Sequence, residues 1–446
     1  MTLRGSGRSN AEGSRSPLWL WPAVSGAGAF AAALVLRGWR PADGPLASLW
    51  PGDASSATAV LQALLAGVVT ATTMTFSLTV VALQLASQQF SPRLLRQFTR
   101  DPVTKRVLSV LTGTFVYAST VLAAVRSDRP LPEPALLLAH LLGLVSFGAL
   151  VAFVAHIATA VRVDTMMKAV HTETDRAISA FYAEHGTATS GPDLDPRGPG
   201  RTVTAPTSGF VEQTDVQRLL GAAAERDGLV RVEVRAGDLV TRGAPLGTVW
   251  SRSPGAADAD LEALAAALRE AVRLGYERTL EQDAAFGFRQ LEDIAVKAVS
   301  PAVNDPVTAV TAFGHLGDLL VRLTGRRLGG TVHADDTGVG RVLVPDRDLR
   351  YYLDLACGQA RRYGRSEPTV LVGLLRMLRD VAASCRDDDQ RAEVARAARL
   401  VRGELDEAVQ PDDAAAVDDL LDRVELALAG RVVEAFDDRS GSTRSV

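Results

Sequence analysis

The chemically capable side chains in the most apolar part of this chain are hydroxyls and amides. No residue between Asp53 and Arg93 carries a charge. When this stretch is projected as a helix at about 100° per residue, its polar side chains fall within about 60° of one line. The members of this polar stripe are Thr70, Thr73, Ser77, Gln84, Ser87, Gln88 and Ser91. A polar stripe on a spanning helix must face protein or water, so it predicts either helix packing or the lining of a pore.

A dense group of cationic side chains follows the polar stripe. The members of this basic cluster are Arg93, Arg96, Arg100, Lys105 and Arg106. Cations at the end of an apolar segment attract anionic lipid headgroups, which is the favoured interpretation. The alternative is a vestibule that concentrates anions. Both interpretations place the basic cluster at one face of a membrane.

Titratable groups are scarce in the apolar segments. Asp, Glu, Lys and Arg are absent from them, which argues against an ion-coupled transporter, because such proteins bury an ionisable group at mid-membrane. His140 and His156 are the titratable candidates there, and each is expected to be a structural histidine rather than a proton relay.

Residues suited to catalysis or metal binding are scattered. His171 and Glu173 are the best candidates for an enzyme, although a solvated helix face explains them more simply. Cys357 and Cys385 are too far apart in sequence for a metal-binding motif, and two cysteines do not make a disulfide framework. The sequence therefore predicts no enzyme, no cofactor and no metal site.

A second polar motif lies in the C-terminal half, and its members are Ser300, Pro301, Asn304, Asp305 and Pro306. Pro301 should end one helix, since the residue before a proline avoids the helical conformation. Asp305 and Pro306 then predict the N-cap and first residue of the next helix. The functional alternative is a small ion site formed by Asn304 and Asp305 at that helix terminus.

Four apolar segments must position these groups, and they cover about 18–36, 57–88, 107–125 and 135–161. Each is long enough to cross a hydrocarbon core of about 30 Å. The sequence thus predicts a disordered tail over 1–17 and a four-helix membrane domain over 18–165. A cleaved signal peptide is the alternative for the first segment. Lys and Arg are densest in the tail and after the second and fourth segments, which predicts that both termini are cytoplasmic.

The remaining chain is predicted to be a cytoplasmic α+β region. It comprises a helical extension and linker over 166–200, a small β module over 201–252, a helical domain over 253–436 and a tail over 437–446. Val230, Val232 and Val234 alternate with charged residues, as in a half-buried strand. The β module looks like the barrel-sandwich fold of lipoyl and biotinyl domains. It contains no lysine, so neither cofactor can be attached there.

Three longer motifs, Met74–Asp101, Gly113–Ala118 and Asp293–Ala309, make the chain similar to a known family. They resemble bacterial predicted membrane proteins grouped as domain of unknown function 2254. The resemblance implies an integral membrane protein with a cytoplasmic C-terminal region. It implies no substrate, reaction or catalytic residue.

The leading functional hypothesis is an uncharacterised integral protein of the plasma (inner) membrane that forms an oligomeric, channel-like passive pore. The cytoplasmic domain would regulate this pore. The alternative is a membrane-anchored sensor or scaffold whose cytoplasmic domain binds a ligand or protein partner without transport. The expected partners are the lipid bilayer and further copies of the chain, and no nucleic acid is expected, since the C-terminal region lacks a basic face.

Overall fold

The computed structural model describes residues 19–37, 53–89, 101–126, 131–160, 162–186, 199–252 and 258–437, together with residues 194 and 196. Several predictions from the sequence lie outside these residues. They concern the tails 1–17 and 438–446, Ser91, Arg93, Arg96 and Arg100, and the side chains of Ser87 and Gln88. The chain divides into two compact units, Met1–Met166 and Met167–Val446.

Most of the described chain is helical. The helices are α1 (Leu20–Leu36), α2 (Ala54–Gln89), α3 (Pro102–Leu122), α4 (Glu133–Ala160), α5 (Val163–Phe181), α6 (Val216–Glu225), α7 (Asp258–Ala271), α8 (Ala284–Val299), α9 (Pro306–Thr324), α10 (Leu349–Tyr363), α11 (Pro368–Ala382), α12 (Asp388–Arg402), α13 (Pro411–Leu428) and α14 (Val432–Ala435). The strands are β1 (Arg201–Thr204), β2 (Gly209–Thr214), β3 (Gly228–Val232), β4 (Leu239–Val240), β5 (Pro245–Ser251), β6 (Val272–Gly275), β7 (Thr331–Ala334) and β8 (Gly340–Val344).

The first unit contains helices α1 to α4, one in each apolar segment. Among the described residues, two helices are long and apolar enough to cross a membrane, and these cover Ala54–Leu85 and Glu133–Ala160. The helix α1 is a shorter apolar helix. The helix α3 carries Lys105 and Arg106 in its second turn.

Contacts along the helices give their directions within this unit. Ser146 of α4 donates a hydrogen bond to Thr114 of α3, and farther along α4 His156 lies 3.0 Å from Asp101, at the start of α3. One residue number rises as the other falls, so α3 and α4 are antiparallel. Ser25 of α1 donates to the carbonyl of Ser109, and residues farther along both helices share one apolar core, so α1 and α3 are parallel. The helices α2 and α4 are also parallel, because residues near their starts share one apolar core and residues farther along both helices share a second one.

The second unit contains two sheets, and they extend beyond the predicted β module. One sheet has the order β1-β5-β3-β8-β7 and the other the order β4-β2-β6. The helical domain predicted over 253–436 also contributes strands, because β6, β7 and β8 join these sheets. The pairing of β3 with β8 is parallel, with Val230 opposite Val342. This arrangement does not support the barrel-sandwich interpretation.

Local patterns in the second unit agree with the structure. Val230, Val232 and Val234 are buried between the exposed side chains of Arg231 and Glu233. Gly237 and Gly243 adopt positive φ in the turns of the β module, a conformation that glycine favours. Apolar stripes of α8, α11 and α13 face the core around which these helices pack.

Candidate functional site

The described members of the polar stripe lie on the exposed face of α2. Thr70, Thr73, Ser77 and Gln84 are all exposed within the single chain. The buried residues described on the same helix are Ala57, Leu61, Val68, Ala71, Thr75 and Ala82. At about 100° per residue, the centre of the polar stripe lies about 180° from the centre of this buried set. Packing inside the chain therefore uses the opposite face, and the polar stripe is left for lipid, water or another copy.

The groups of the polar stripe differ in what they require from their surroundings. The hydroxyls of Thr70 and Thr73 donate to the carbonyls of Ala66 and Val69, at 2.9 and 3.0 Å. These hydroxyls are satisfied by their own helix. Gln84 carries an amide with two donor hydrogens and an acceptor oxygen, for which lipid chains offer no partner. Among the described residues of the polar stripe, Gln84 therefore has the strongest requirement for water or protein beside its side chain.

An apolar groove of about 490 Å³ lies beside the polar stripe, between α2 and α4. Gly67 and Gly143 line it, and Leu64 packs so closely against Gly143 that a Cβ there would lie 2.5 Å from the Leu64 side chain. His140 lines this groove. This placement does not test the expected structural role of His140.

The described part of the basic cluster does not behave as one group. Lys105 is buried, whereas Arg106 is exposed on the next position of α3. The expectation that this cluster contacts lipid headgroups stays a prediction. Burial on one helix face separates the two side chains, since neighbouring helical positions are about 100° apart.

Asp101 begins α3 and was not singled out by the sequence. Its carboxylate accepts hydrogen bonds from the backbone amides of Val103 and Thr104 and from the Thr104 hydroxyl. His156 contacts the same carboxylate, which supports the structural role predicted for this histidine. The N-cap role of Asp101 could have been predicted, because the sequence Asp-Pro-Val-Thr occurs at Asp101 and again at Asp305, where an N-cap was predicted.

The second polar motif forms the predicted turn between α8 and α9. The Asp305 carboxylate accepts from the backbone amide of Thr308 at 3.1 Å and from its hydroxyl at 2.5 Å. These bonds, first the one from the Thr308 hydroxyl, lower the pKa of Asp305 below its usual value. Ser300 donates to the Lys297 carbonyl and closes α8. Asn304 adopts a positive φ of 51° in the turn.

These contacts confirm the helix boundaries predicted from Pro301, Asp305 and Pro306. They also account for the Asp305 carboxylate, which was one of two groups offered for an ion site. The turn itself is exposed, and Val303 and Val307 present apolar side chains at its surface.

Two histidines far apart in sequence meet in the second unit. The Nδ1 atoms of His171 on α5 and His315 on α9 are 3.4 Å apart. Asp318 lies one turn farther along α9, and its carboxylate is 3.1 Å from Nε2 of His171. Glu173 is exposed on another face of α5. Among the described residues, no group of three or more His, Cys, Asp or Glu side chains has the geometry to hold a metal ion.

A buried ionic cluster joins the β strands to the helices of the second unit. Its centre is Arg347, which contacts the Asp283 carboxylate at 3.4 Å and donates to the Ala236 carbonyl at 3.0 Å. Arg278 holds the other oxygen of Asp283 at 2.5 Å. Charged residues are seldom buried without partners, so this cluster explains the location of Arg347 and Asp283. Sequence reasoning missed it because its centre, Arg347, is 64 residues from Asp283 and 111 residues from Ala236.

Burial also alters the acids beside the ionic cluster. The Asp346 carboxyl is largely removed from solvent, which raises its pKa above the usual value. The hydroxyls of Tyr182 and Tyr352 lie 2.7 Å apart, and burial raises the pKa of both. The two tyrosine hydroxyls are therefore neutral hydrogen-bonding partners that join the residue after α5 to α10, because burial disfavours their ionised forms.

The fold and these surfaces define a mostly helical protein with features of a membrane protein. Its two longest apolar helices expose most of their surface, as helices do that contact lipid or further copies. The chain belongs to the family of predicted membrane proteins described as DUF2254, whose model matches residues 15–380. This match confirms the resemblance found in the three sequence motifs.

Two uncharacterised mycobacterial proteins are similar to this chain. An uncharacterised protein of Mycobacterium bovis is 37% identical over 376 residues, which cover 82% of this chain and 71% of the relative. An uncharacterised protein of Mycobacterium tuberculosis strain H37Rv shows the same identity and coverage. No solved structure matches the chain.

Proposed function

We propose that this chain is a multi-pass protein of the bacterial plasma membrane that assembles into an oligomeric passive pore lined by α2. Four spans with both termini in the cytoplasm belong to the proposal. The alternating directions of α1 to α4 support it, because consecutive spans must cross in opposite directions. The 17 residues of α1 are at the lower limit for a span.

The observation that carries the pore proposal is the position of the polar stripe. Its described members Thr70, Thr73, Ser77 and Gln84 face away from the packing within the chain, and from Thr70 to the end of α2 at Gln89 the helix extends about 29 Å at 1.5 Å per residue. That length matches the hydrocarbon core of a bilayer. One stripe cannot enclose water, so several copies must bring their stripes to a common axis. No catalytic step and no cofactor enter this proposal.

The mass of the purified protein in a lipid nanodisc is the first test. A symmetric oligomer of three or more copies agrees with the proposal, and a monomer contradicts it. In liposomes, the wild-type protein should carry chloride or glycerol across the bilayer. The double variant Ser77→Leu with Gln84→Leu should reduce this flux to the level of protein-free liposomes, because leucine removes the polar lining.

A matched control uses exposed apolar positions of α4. Val145→Leu with Val151→Leu adds comparable volume on a lipid-accessible surface without removing any polar group. Flux should persist in this variant, and both double variants should keep the native oligomeric mass. Equal flux through the wild-type protein and the Ser77→Leu, Gln84→Leu variant would exclude a pore along α2.

The exposed turn before α9 favours a second candidate function, a membrane-anchored scaffold or sensor. Val303 and Val307 are about half exposed at a turn whose polar groups are already used to cap helices. A partner protein would bury these valines. Double substitution with Asp should then abolish capture of a specific partner by the full chain, whereas flux should not change.

A further inference from the structure

We propose that His171 and His315 form a binding site for a divalent transition-metal ion such as Zn²⁺ or Cu²⁺. The site lies within the second unit and links α5 to α9. It is independent of the pore proposal. The ion would be held by the two Nδ1 atoms and would keep water molecules as its remaining ligands.

The distance between the two ring nitrogens suits such an ion. The Nδ1 atoms are 3.4 Å apart, and the rings meet edge to face with centroids 5.2 Å apart. An ion about 2.1 Å from each nitrogen would therefore subtend an angle of about 110°, close to the tetrahedral value that zinc prefers. Imidazole nitrogen is also the ligand type that Zn²⁺ and Cu²⁺ favour.

Asp318 prepares His171 for this role. Its carboxylate lies 3.1 Å from Nε2 of His171 and favours the tautomer in which Nε2 carries the proton. The lone pair of Nδ1 then points toward His315. A carboxylate behind a ligating histidine is a common arrangement in metal sites, because it orients the ring and increases its basicity.

The charges around the histidines also favour a cation. Arg322 donates to Asp318 at 2.9 Å, and its other end lies 2.9 Å from Asp175. Asp318 therefore belongs to a network of two carboxylates and one guanidinium, in which the acidic groups outnumber the basic one. The cysteines do not compete for the ion, since burial raises the pKa of Cys357 to about 12 and that of Cys385 to about 11. Both remain protonated thiols, which are poor metal ligands.

Two protein ligands make a weaker site than the four of a structural zinc site. The ion would therefore exchange with its surroundings. Because His171 lies on the helix that directly follows α4 and His315 on the helix that follows the exposed turn, binding would cross-link these two elements. Without metal, His315 can instead donate a proton from Nδ1 to His171, and the two arrangements compete.

The test is calorimetric titration of Zn²⁺ into the full-length protein in nanodiscs after treatment with a chelator. One ion per chain is expected. His171→Gln and His315→Gln should each weaken binding at least tenfold, and Asp318→Asn should weaken it about tenfold, as loss of an outer partner does. Glutamine keeps most of the side-chain volume, so these variants should fold, and circular dichroism of each variant checks this.

His185 provides the matched control. It also lies near a carboxylate, 3.6 Å from Asp387, and its side chain is 32% exposed, compared with 17% for His171. His185→Gln should leave Zn²⁺ binding unchanged. The electron paramagnetic resonance spectrum of bound Cu²⁺ should show two imidazole nitrogens in the wild-type protein and one in either ligand variant. The proposal would be overturned if His171→Gln and His315→Gln left the Zn²⁺ affinity unaltered. It would also be overturned if the wild-type protein bound no Zn²⁺ at about 100 µM, a concentration suited to a weak site.

Discussion

The buried ionic cluster gives a quantitative prediction for Arg347→Met. The arginine side chain is 5% exposed and the Asp283 side chain 1% exposed. Methionine keeps much of the arginine volume but cannot pair with the carboxylate or donate to the Ala236 carbonyl. The variant thus leaves Asp283 buried with Arg278 as its remaining cationic partner in the described cluster.

The cost follows from the loss of one member of a buried pair, which is about 3–5 kcal/mol. Since Arg278 still neutralises Asp283, we expect the lower end, about 3 kcal/mol. A typical domain is stable by only about 5–15 kcal/mol, so the second unit should open about a hundred times more often.

Hydrogen exchange measured by mass spectrometry on the full chain in nanodiscs would detect this change. Protection should fall about a hundredfold in peptides that contain β3 and β5. The control is Arg218→Met, which removes an exposed ion pair with Glu270 and should cost less than about 1 kcal/mol. A similarly small effect of Arg347→Met would refute the reasoning, because it would mean that the buried charges do not depend on each other.

Two further predictions concern helix ends and helix packing. Asp305→Ala should destabilise the second unit by about 1 kcal/mol in urea unfolding, since α9 loses its N-cap. Because the pKa of Asp305 is lowered in the folded state, its stabilisation is present above pH 3.8 and disappears as pH falls; a cost that stays constant down to pH 2.5, a value of order one unit below the usual pKa, would contradict this origin. Gly287→Ala should cost about 1–3 kcal/mol, because the new Cβ would lie 1.7 Å from the hydroxyl oxygen of Thr174. Adding Thr174→Ala should recover part of that loss, and thermal unfolding that shows no recovery would argue against this contact.

Several features followed from the sequence because they depend on near neighbours. The capped turn from Ser300 to Pro306 occurs where the sequence placed it. N-caps, prolines and hydrophobic periodicity act within a few residues, so their effects can be read without the fold. The same applies to the uncharged run that contains the polar stripe, since bilayer thickness alone sets the required length.

Only the tertiary structure decided which distant residues meet. It paired β3 with β8 across more than 100 residues, placed His171 against His315, and enclosed Arg347 with Asp283. It also showed that the polar stripe lies opposite the face of α2 that packs within the chain. Local patterns identify a polar or apolar face of a helix or strand. What covers that face depends on contacts between residues far apart in the chain, and these form only when the whole unit has folded.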